Sequence, residues 1–222
     1  MDNYAEILIL DFETLSSKST AMQNNILPIS FGAVVTNFAD IKDISLDNLP
    51  KLIEELRAKS YFTLFDPKVM LSKGFKTDPN TLKWWSEQTP EARYWITASE
   101  CNVQQLSIEA FCEEFRSFCV NNRVTADTLI VVRSPQFDMP ILENLFKVAD
   151  RPLPFCDWNV VDIRSLMRYY NMLTDENAIT KYKVKPGYDK NLLDVLTPLL
   201  EKHYPVDDCI IDLVHLSMLY NI

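Results

Sequence analysis

Ile7-Leu8-Ile9-Leu10-Asp11-Phe12-Glu13-Thr14 is an apolar run that ends in two acids one residue apart. Side chains on a strand alternate faces, so Asp11 and Glu13 point one way and Phe12 the other. Two carboxylates at the end of a buried strand repel each other. A hard divalent cation with oxygen ligands is the usual remedy. A pair of solvated acids at a strand end is the simpler alternative.

The rest of the chain reads outward from this run. Residues 5 to 11 form the buried strand. Leu27–Thr36 is a second strand, with Pro28 near its start and Gly32 at a bulge. Tyr61–Asp66 is a third, preceded by a short helix over Lys51–Lys59. Asp78-Pro79 starts a helix that carries Leu82, Trp84 and Trp85 and gives out near Gln88. Thr89-Pro90-Glu91 starts a shorter one through Trp95. Ser107 caps the clearest helix, with Ile108, Phe111, Cys112, Phe115, Phe118 and Cys119 at spacings of three and four. Thr128–Arg133 is a buried strand. Helices follow over Asp138–Lys147, with Pro140 in the first turn, and over Asp162–Tyr170. Residues 172–190 form a polar loop. Leu192–Leu200, disturbed by Pro198, and Asp208–Tyr220 are the closing helices. Three early strands followed by alternating helix and strand give one α/β domain over residues 1–222, with a mixed sheet.

Composition narrows the function classes. The chain has 222 residues, 47% hydrophobic and 24% charged, as expected for a globular protein with a sizeable core. No apolar run approaches the ~20 residues that span a bilayer, and Met1–Glu6 lacks the basic start of a signal peptide. A cytoplasmic protein is expected. Five cysteines without CxxC spacing argue against a structural zinc site or a disulfide framework. A net charge of −9 argues against non-specific wrapping of duplex nucleic acid. It leaves room for an enzyme gripping one strand end at a metal-loaded site. The three glycines, Gly32, Gly74 and Gly187, cannot build a phosphate loop or a dinucleotide fingerprint.

Two further segments carry chemistry. Phe137-Asp138-Met139-Pro140 follows the strand ending at Arg133, where α/β ligands bind. Asp138 as a plain helix N-cap is the structural alternative. His203-Tyr204-Pro205-Val206-Asp207-Asp208-Cys209 places a histidine in a loop, with Asp208 at or inside the first turn of the closing helix. Asp212 lies one turn beyond Asp208 on roughly the same face. If Asp212 were the relevant acid, the histidine position would fall on Asp207.

Asp-x-Glu on the first strand, Phe-Asp near the middle and His-x4-Asp near the C-terminus resemble the DEDD 3′→5′ exonucleases of RNase H-like fold. The histidine marks the DEDDh subgroup. The segment Thr81–Arg93, with Trp84-Trp85 and Pro90-Glu91-Ala92-Arg93, is similar to the branch that includes exonuclease A of T-even phages and mycobacterial-type exoribonucleases. Asp162-Ile163-Arg164 is a further match. The resemblance implies an RNase H-like mixed sheet flanked by helices. It makes Asp11, Glu13, Asp138 and Asp208 catalytic acids that hold two Mg2+ or Mn2+ ions, and His203 the general base. It also implies hydrolysis at nucleic-acid 3′ ends with release of nucleoside 5′-monophosphates. DNA, above all single-stranded DNA, is the expected polymer, with RNA the enzymatic alternative. A catalytically weak end-binding module of the same fold is the alternative of another class. A homodimer is compatible with the likeness.

Two positions depart from the family pattern. Pro205 stands two places after the histidine, and Ser134 four places before the middle acid. The resemblance places Thr14 and Leu15 at the 3′-terminal nucleotide, and Trp85 is expected to bind substrate as well. Of the adjacent tryptophans, one packs in the core and the other either stacks on a base or packs in the core as well. Lys181, Lys183, Lys185 and Lys190 are either phosphate-steering cations or a solvated loop. His215 is expected to be structural.

Overall fold

The opening run folds as β1 (Glu6–Thr14), central in a six-stranded sheet. The structure, a computed structural model, describes residues 6–16, 25–42, 44–97, 105–174 and 194–220. β2 (Pro28–Asn37) pairs antiparallel with β1, and β3 (Tyr61–Phe65) antiparallel with β2. β4 (Gln105–Leu106) extends that edge in parallel to β3. On the other side β5 (Leu129–Val132) runs parallel to β1, and β6 (Val160–Asp162) parallel to β5. The strand order is β4-β3-β2-β1-β5-β6, a mixed sheet as expected.

Helices connect and cover the strands. They are α1 (Phe38–Ile41), α2 (Leu49–Lys59), α3 (Pro67–Ser72), α4 (Pro79–Ser86), α5 (Pro90–Thr97), α6 (Ile108–Asn121), α7 (Pro135–Val148), α8 (Ile163–Thr174) and α9 (Pro205–Tyr220). None among the described residues is long and apolar enough to cross a membrane.

The alternation along β1 explains its unbroken hydrophobicity. Leu8, Leu10 and Phe12 join a core shared with Phe111 and Phe115 of α6 and Leu142 and Leu145 of α7. Ile7 and Ile9 join a second core with α2, α8 and α9, through Ile53, Ile163, Cys209, Ile210 and Leu213. A strand covered on both faces must be apolar on both. Asp11 and Glu13 continue the Ile7–Ile9 side, the face that α9 covers. Phe31 closes the first core, its ring 4.6 Å from Phe12, 5.2 Å from Phe111 and 5.0 Å from Phe115.

Several local expectations are corrected. Gly32 does not mark a bulge: it pairs in register with Asp11, and the irregularity lies at Glu13/Thr14. Gly32 instead admits α9. A β-carbon there would lie 2.5 Å from the Pro205 carbonyl carbon and 2.6 Å from the Val206 nitrogen. The middle helix begins at Pro135 with Ser134 at the cap position, so Asp138 lies in its first turn and is not the N-cap. The closing helix begins at Pro205, three residues earlier than expected. The expected helix over Leu192–Leu200 has a 3-10 turn at Thr197–Leu199, and residues 191–193 fall outside the described ones. Asp162 ends strand β6 before α8 begins. Most of the 172–190 segment, including the four lysines, lies outside the described residues. Cys112, Cys119, Cys156 and Cys209 are free thiols.

The close approach at Gly32 has a measurable consequence. Gly32→Ala must push backbone against backbone, and overpacking of this kind destabilises by about 1–3 kcal/mol. At about 2–4 °C per kcal/mol for a chain of this size, the melting temperature is expected to fall by several degrees. Whatever α9 carries is expected to shift with it. Differential scanning calorimetry checks this, and an unchanged melting temperature would sink it.

Candidate active site

Three elements converge at the carboxyl end of β1. β1 supplies Asp11 and Glu13 on the α9 face. The β1–β5 ladder ends at Ile9 and Val131, and α7 begins just beyond it. There Asp138, 3% exposed, accepts hydrogen bonds from the backbone N–H groups of Phe12 and Ser134. The third element is α9 with the turn before it, seated over Gly32. Asp208 lies in its first turn and its N–H donates to the Tyr204 carbonyl at 3.0 Å.

His203 closes the group. Its Nδ1 lies 3.1 Å from Glu13 Oε1, and its side chain keeps 28% exposure, enough to be reached from solvent. One ligating atom each from Glu13, His203 and Asp208 lie within 4.8 Å of one another. His203 also adopts a left-handed backbone, φ 63°, which non-glycine residues enter at a cost. Such conformations persist where the surroundings fix them.

The acids strain against one another. Burial, then Asp138, Asp208, Glu13 and Asp212, push the Asp11 carboxyl well above the usual carboxylate range. Burial dominates at Asp138 and raises it to about 7, opposed by the Phe12 N–H and aided by Asp212 and Glu13. Burial and Glu13 raise Asp208 to about 7, against the pull of His203 and Arg133. The hydrogen bond to Glu13 raises His203, against its burial. A cluster of carboxylates that resists ionisation fits a site for a hard divalent cation.

The three acids at the start of α9 part company. Asp207 is fully buried and turns toward α2, where Arg57 grips it. Asp208 faces Glu13 and His203. Asp212 accepts from Arg133 Nε at 2.9 and 3.2 Å and lies 3.6 Å from His215 Nδ1. Against its burial, His215 and Arg133 hold Asp212 below the usual range. His215 is buried, in keeping with a structural role.

The tryptophan pair divides opposite to the expectation for Trp85. Trp85 is buried, and its Nε1 donates to the Thr14 carbonyl at 2.8 Å. Its indole therefore fixes the end of β1 and offers no open face to a base. Trp84 is the half-exposed one, edge-on to His203 at 5.1 Å. Thr14 and Leu15 are both nearly covered. Thr14 Oγ1 donates to the Ser16 carbonyl at 3.0 Å. The Leu15 carbonyl accepts from the Asp78 N–H at 2.8 Å, which ties the start of α4 to the loop after β1. Arg133 was not singled out by the sequence, although a cation ending an apolar strand beside acids was a usable signal.

A mixed six-stranded sheet flanked by helices is the RNase H-like fold that the chain shares with DEDDh exonuclease structures. The chain belongs to the 3′-5′ exoribonuclease Rv2179c-like domain family, whose model matches residues 6–194. That match covers Asp11, Glu13 and Asp138 and ends before His203 and Asp208.

Among curated protein sequences none matches. Solved structures share the fold at low identity. The zinc-bound E. coli ExoI–ssDNA complex has TM-score 0.58 and 14% identity, over 97% of this chain and 40% of that one. Cell-death related nuclease 4 (CRN-4) has 0.55 and 15%, over 98% and 64%. The nuclease domain of 3′hExo, a DEDDh family member bound to rAMP, has 0.53 and 10%, over 99% and 92%. The chain thus spans less than two thirds of the ExoI and CRN-4 chains.

Proposed function

We propose that the chain forms a single exonuclease domain that hydrolyses single-stranded RNA from the 3′ end and releases nucleoside 5′-monophosphates. The family's description favours RNA over the DNA expected from the phage-type motifs. The observation that carries the catalytic reading is His203 Nδ1 at 3.1 Å from Glu13, with Asp208 in the same group.

Asp11, Glu13, Asp138 and Asp208 are the residues that would hold divalent cations, Mg2+ or Mn2+ by the hardness of their oxygens. Bound there, such ions supply charge neutralisation for the phosphate and for the oxygens that attack and leave. Glu13 accepts from Nδ1–H and so fixes the tautomer in which His203 Nε2 is free. Neutral His203 takes a proton at Nε2 from the attacking water. Water adds to the terminal phosphorus, the bond to the 3′ oxygen of the preceding nucleotide breaks, and that oxygen is protonated. Trp85 holds the backbone at Thr14 and so the geometry of Glu13.

The test is mononucleotide release from 3′-blocked and unblocked single-stranded RNA and DNA, with Mn2+, Mg2+ or EDTA. Metal-dependent release from unblocked ends alone is expected, faster from RNA. Faster release from DNA would overturn the choice of polymer. No release from folded, metal-supplied protein would leave an end-binding module of the same fold.

A further inference from the structure

The turn that presents His203 is held from the side away from the acid cluster. Arg57, in the last turn of α2, donates through Nε to Asp207 Oδ1 at 2.8 Å and through a terminal NH2 to Oδ2 at 2.5 Å. The terminal NH2 also donates to the Leu199 carbonyl at 3.0 Å. Asp207 Oδ2 accepts the Glu201 N–H at 2.7 Å. One guanidinium and one carboxylate thus fix residues 199, 201 and 207, on both sides of His203. The Tyr204 ring adds a contact 4.9 Å from Phe62 of β3.

This network explains how His203 stays in its left-handed conformation, with no glycine in the turn to relieve it. An ordinary stabilising ion pair is the competing account. Three features count against it. A pair of this kind, with a buried carboxylate and a partly exposed guanidinium, contributes little net stability. The two parallel N–H···O bonds of a guanidinium on a carboxylate instead fix orientation. The third donation, to Leu199, goes to the histidine-bearing turn and not to another acid.

We propose that Arg57 and Asp207 are positioning residues, whose bidentate pair locks the 199–204 turn so that His203 meets Glu13. The inference rests on the general-base reading of His203. Arg57 also forms part of the wall of an open cleft of about 840 Å³ beside the turn, with Tyr94, Leu199 and Lys202. Its side chain is 39% exposed, so a shorter cation there can be hydrated.

The experiment compares Arg57→Lys, Asp207→Asn and His203→Ala in the full chain. Single-turnover rate against pH, KM and the Mn2+-binding midpoint are measured, with a circular dichroism melt for each. Arg57→Lys keeps the charge and loses the paired geometry. Its kcat is expected to fall about 10²-fold, the loss an ångström-scale misplacement produces. KM and the Mn2+ midpoint are expected to stay within about twofold, because the four acids are untouched. The limb of the pH profile that reports His203 deprotonation is expected to move or flatten. Asp207→Asn keeps one acceptor oxygen and is expected to repeat the pattern, so the proposal stays testable if one variant fails to fold.

A His203→Ala loss of about 10²-fold or more, with both pair variants at parental kcat, overturns the positioning role and leaves the base intact. Parental turnover in His203→Ala overturns the general-base reading itself. Loss of turnover together with Mn2+ binding and a cooperative melt shows a purely structural pair, and overturns the proposal.

Discussion

Asp208→Asn is expected to be inactive and, in EDTA at pH 8, more stable than the parent. Asp208 is raised to about 7 by burial and by Glu13, so its ionised form is held at a cost in the metal-free fold. The neutral amide keeps the shape and removes the repulsion. The same change removes a hard ligand from the proposed metal site. Loss of several kcal/mol of transition-state stabilisation, at 1.36 kcal/mol per tenfold, lowers turnover by about 10³-fold or more. Asp212→Asn is the informative contrast. It leaves Arg133 without its carboxylate, and breaking a buried pair costs about 3–5 kcal/mol. The low end applies here, because the Arg133 side chain is 38% exposed. Asp212→Asn is therefore expected to melt lower yet keep a metal-dependent activity. Melting curves and turnover for the two variants check this, and a reversal of the two patterns would falsify the assignment of Asp208 to the metal site.

The second large effect is a metal response that grows with pH. Asp11, Asp138 and Asp208 all titrate higher in the folded chain than the ~3.9 of an unfolded aspartate. Between about pH 4 and pH 7 the folded state therefore binds more protons than the unfolded state. Stability from Asp138 and Asp208 is full below about pH 4 and is lost as pH rises through about 7, and Asp11, also raised, acts with the same sign. His203, raised by Glu13, has the same sign: its contribution is present below the unfolded histidine value of ~6.5 and is lost above its own folded value. Asp212 is depressed and acts in the opposite sense, with stability lost only on acidification below the usual aspartate range. The melting temperature in EDTA is thus expected to fall from pH 5 to pH 8.5. Cations compete with protons for these carboxylates, so Mn2+ is expected to restore most where protons have left. Metal at a hundred times its dissociation constant adds about 2.7 kcal/mol, roughly 5–10 °C here. Equal Mn2+ shifts at pH 5 and pH 8, or a melting point in EDTA that climbs with pH, would sink this account.

The sequence made some of this legible and hid the rest for physical reasons. β1 was readable because a strand buried on both faces leaves only its acids unexplained. α6 was readable because its apolar residues keep helical spacing for three turns. β4 and β6, of two and three residues, are too short to show a period. The start of α7 was misplaced although Ser134-Pro135 is a helix-start pattern, because Asp138 competed as a cap. Which tryptophan faces inward depends on α4 docking through the Asp78 N–H onto Leu15, a contact with no local signature. Arg57 and Asp207 lie 150 positions apart, and nothing in either neighbourhood announces the other.

Glu13 and His203 are separated by 190 positions. As a ribosome adds residues from the N-terminus, Asp11 and Glu13 emerge long before His203 and Asp208. Until α9 seats on Gly32, Glu13 has neither His203 nor Asp208 beside it. The docking of α9 on Gly32 is thus what brings the two ends of the chain to one place.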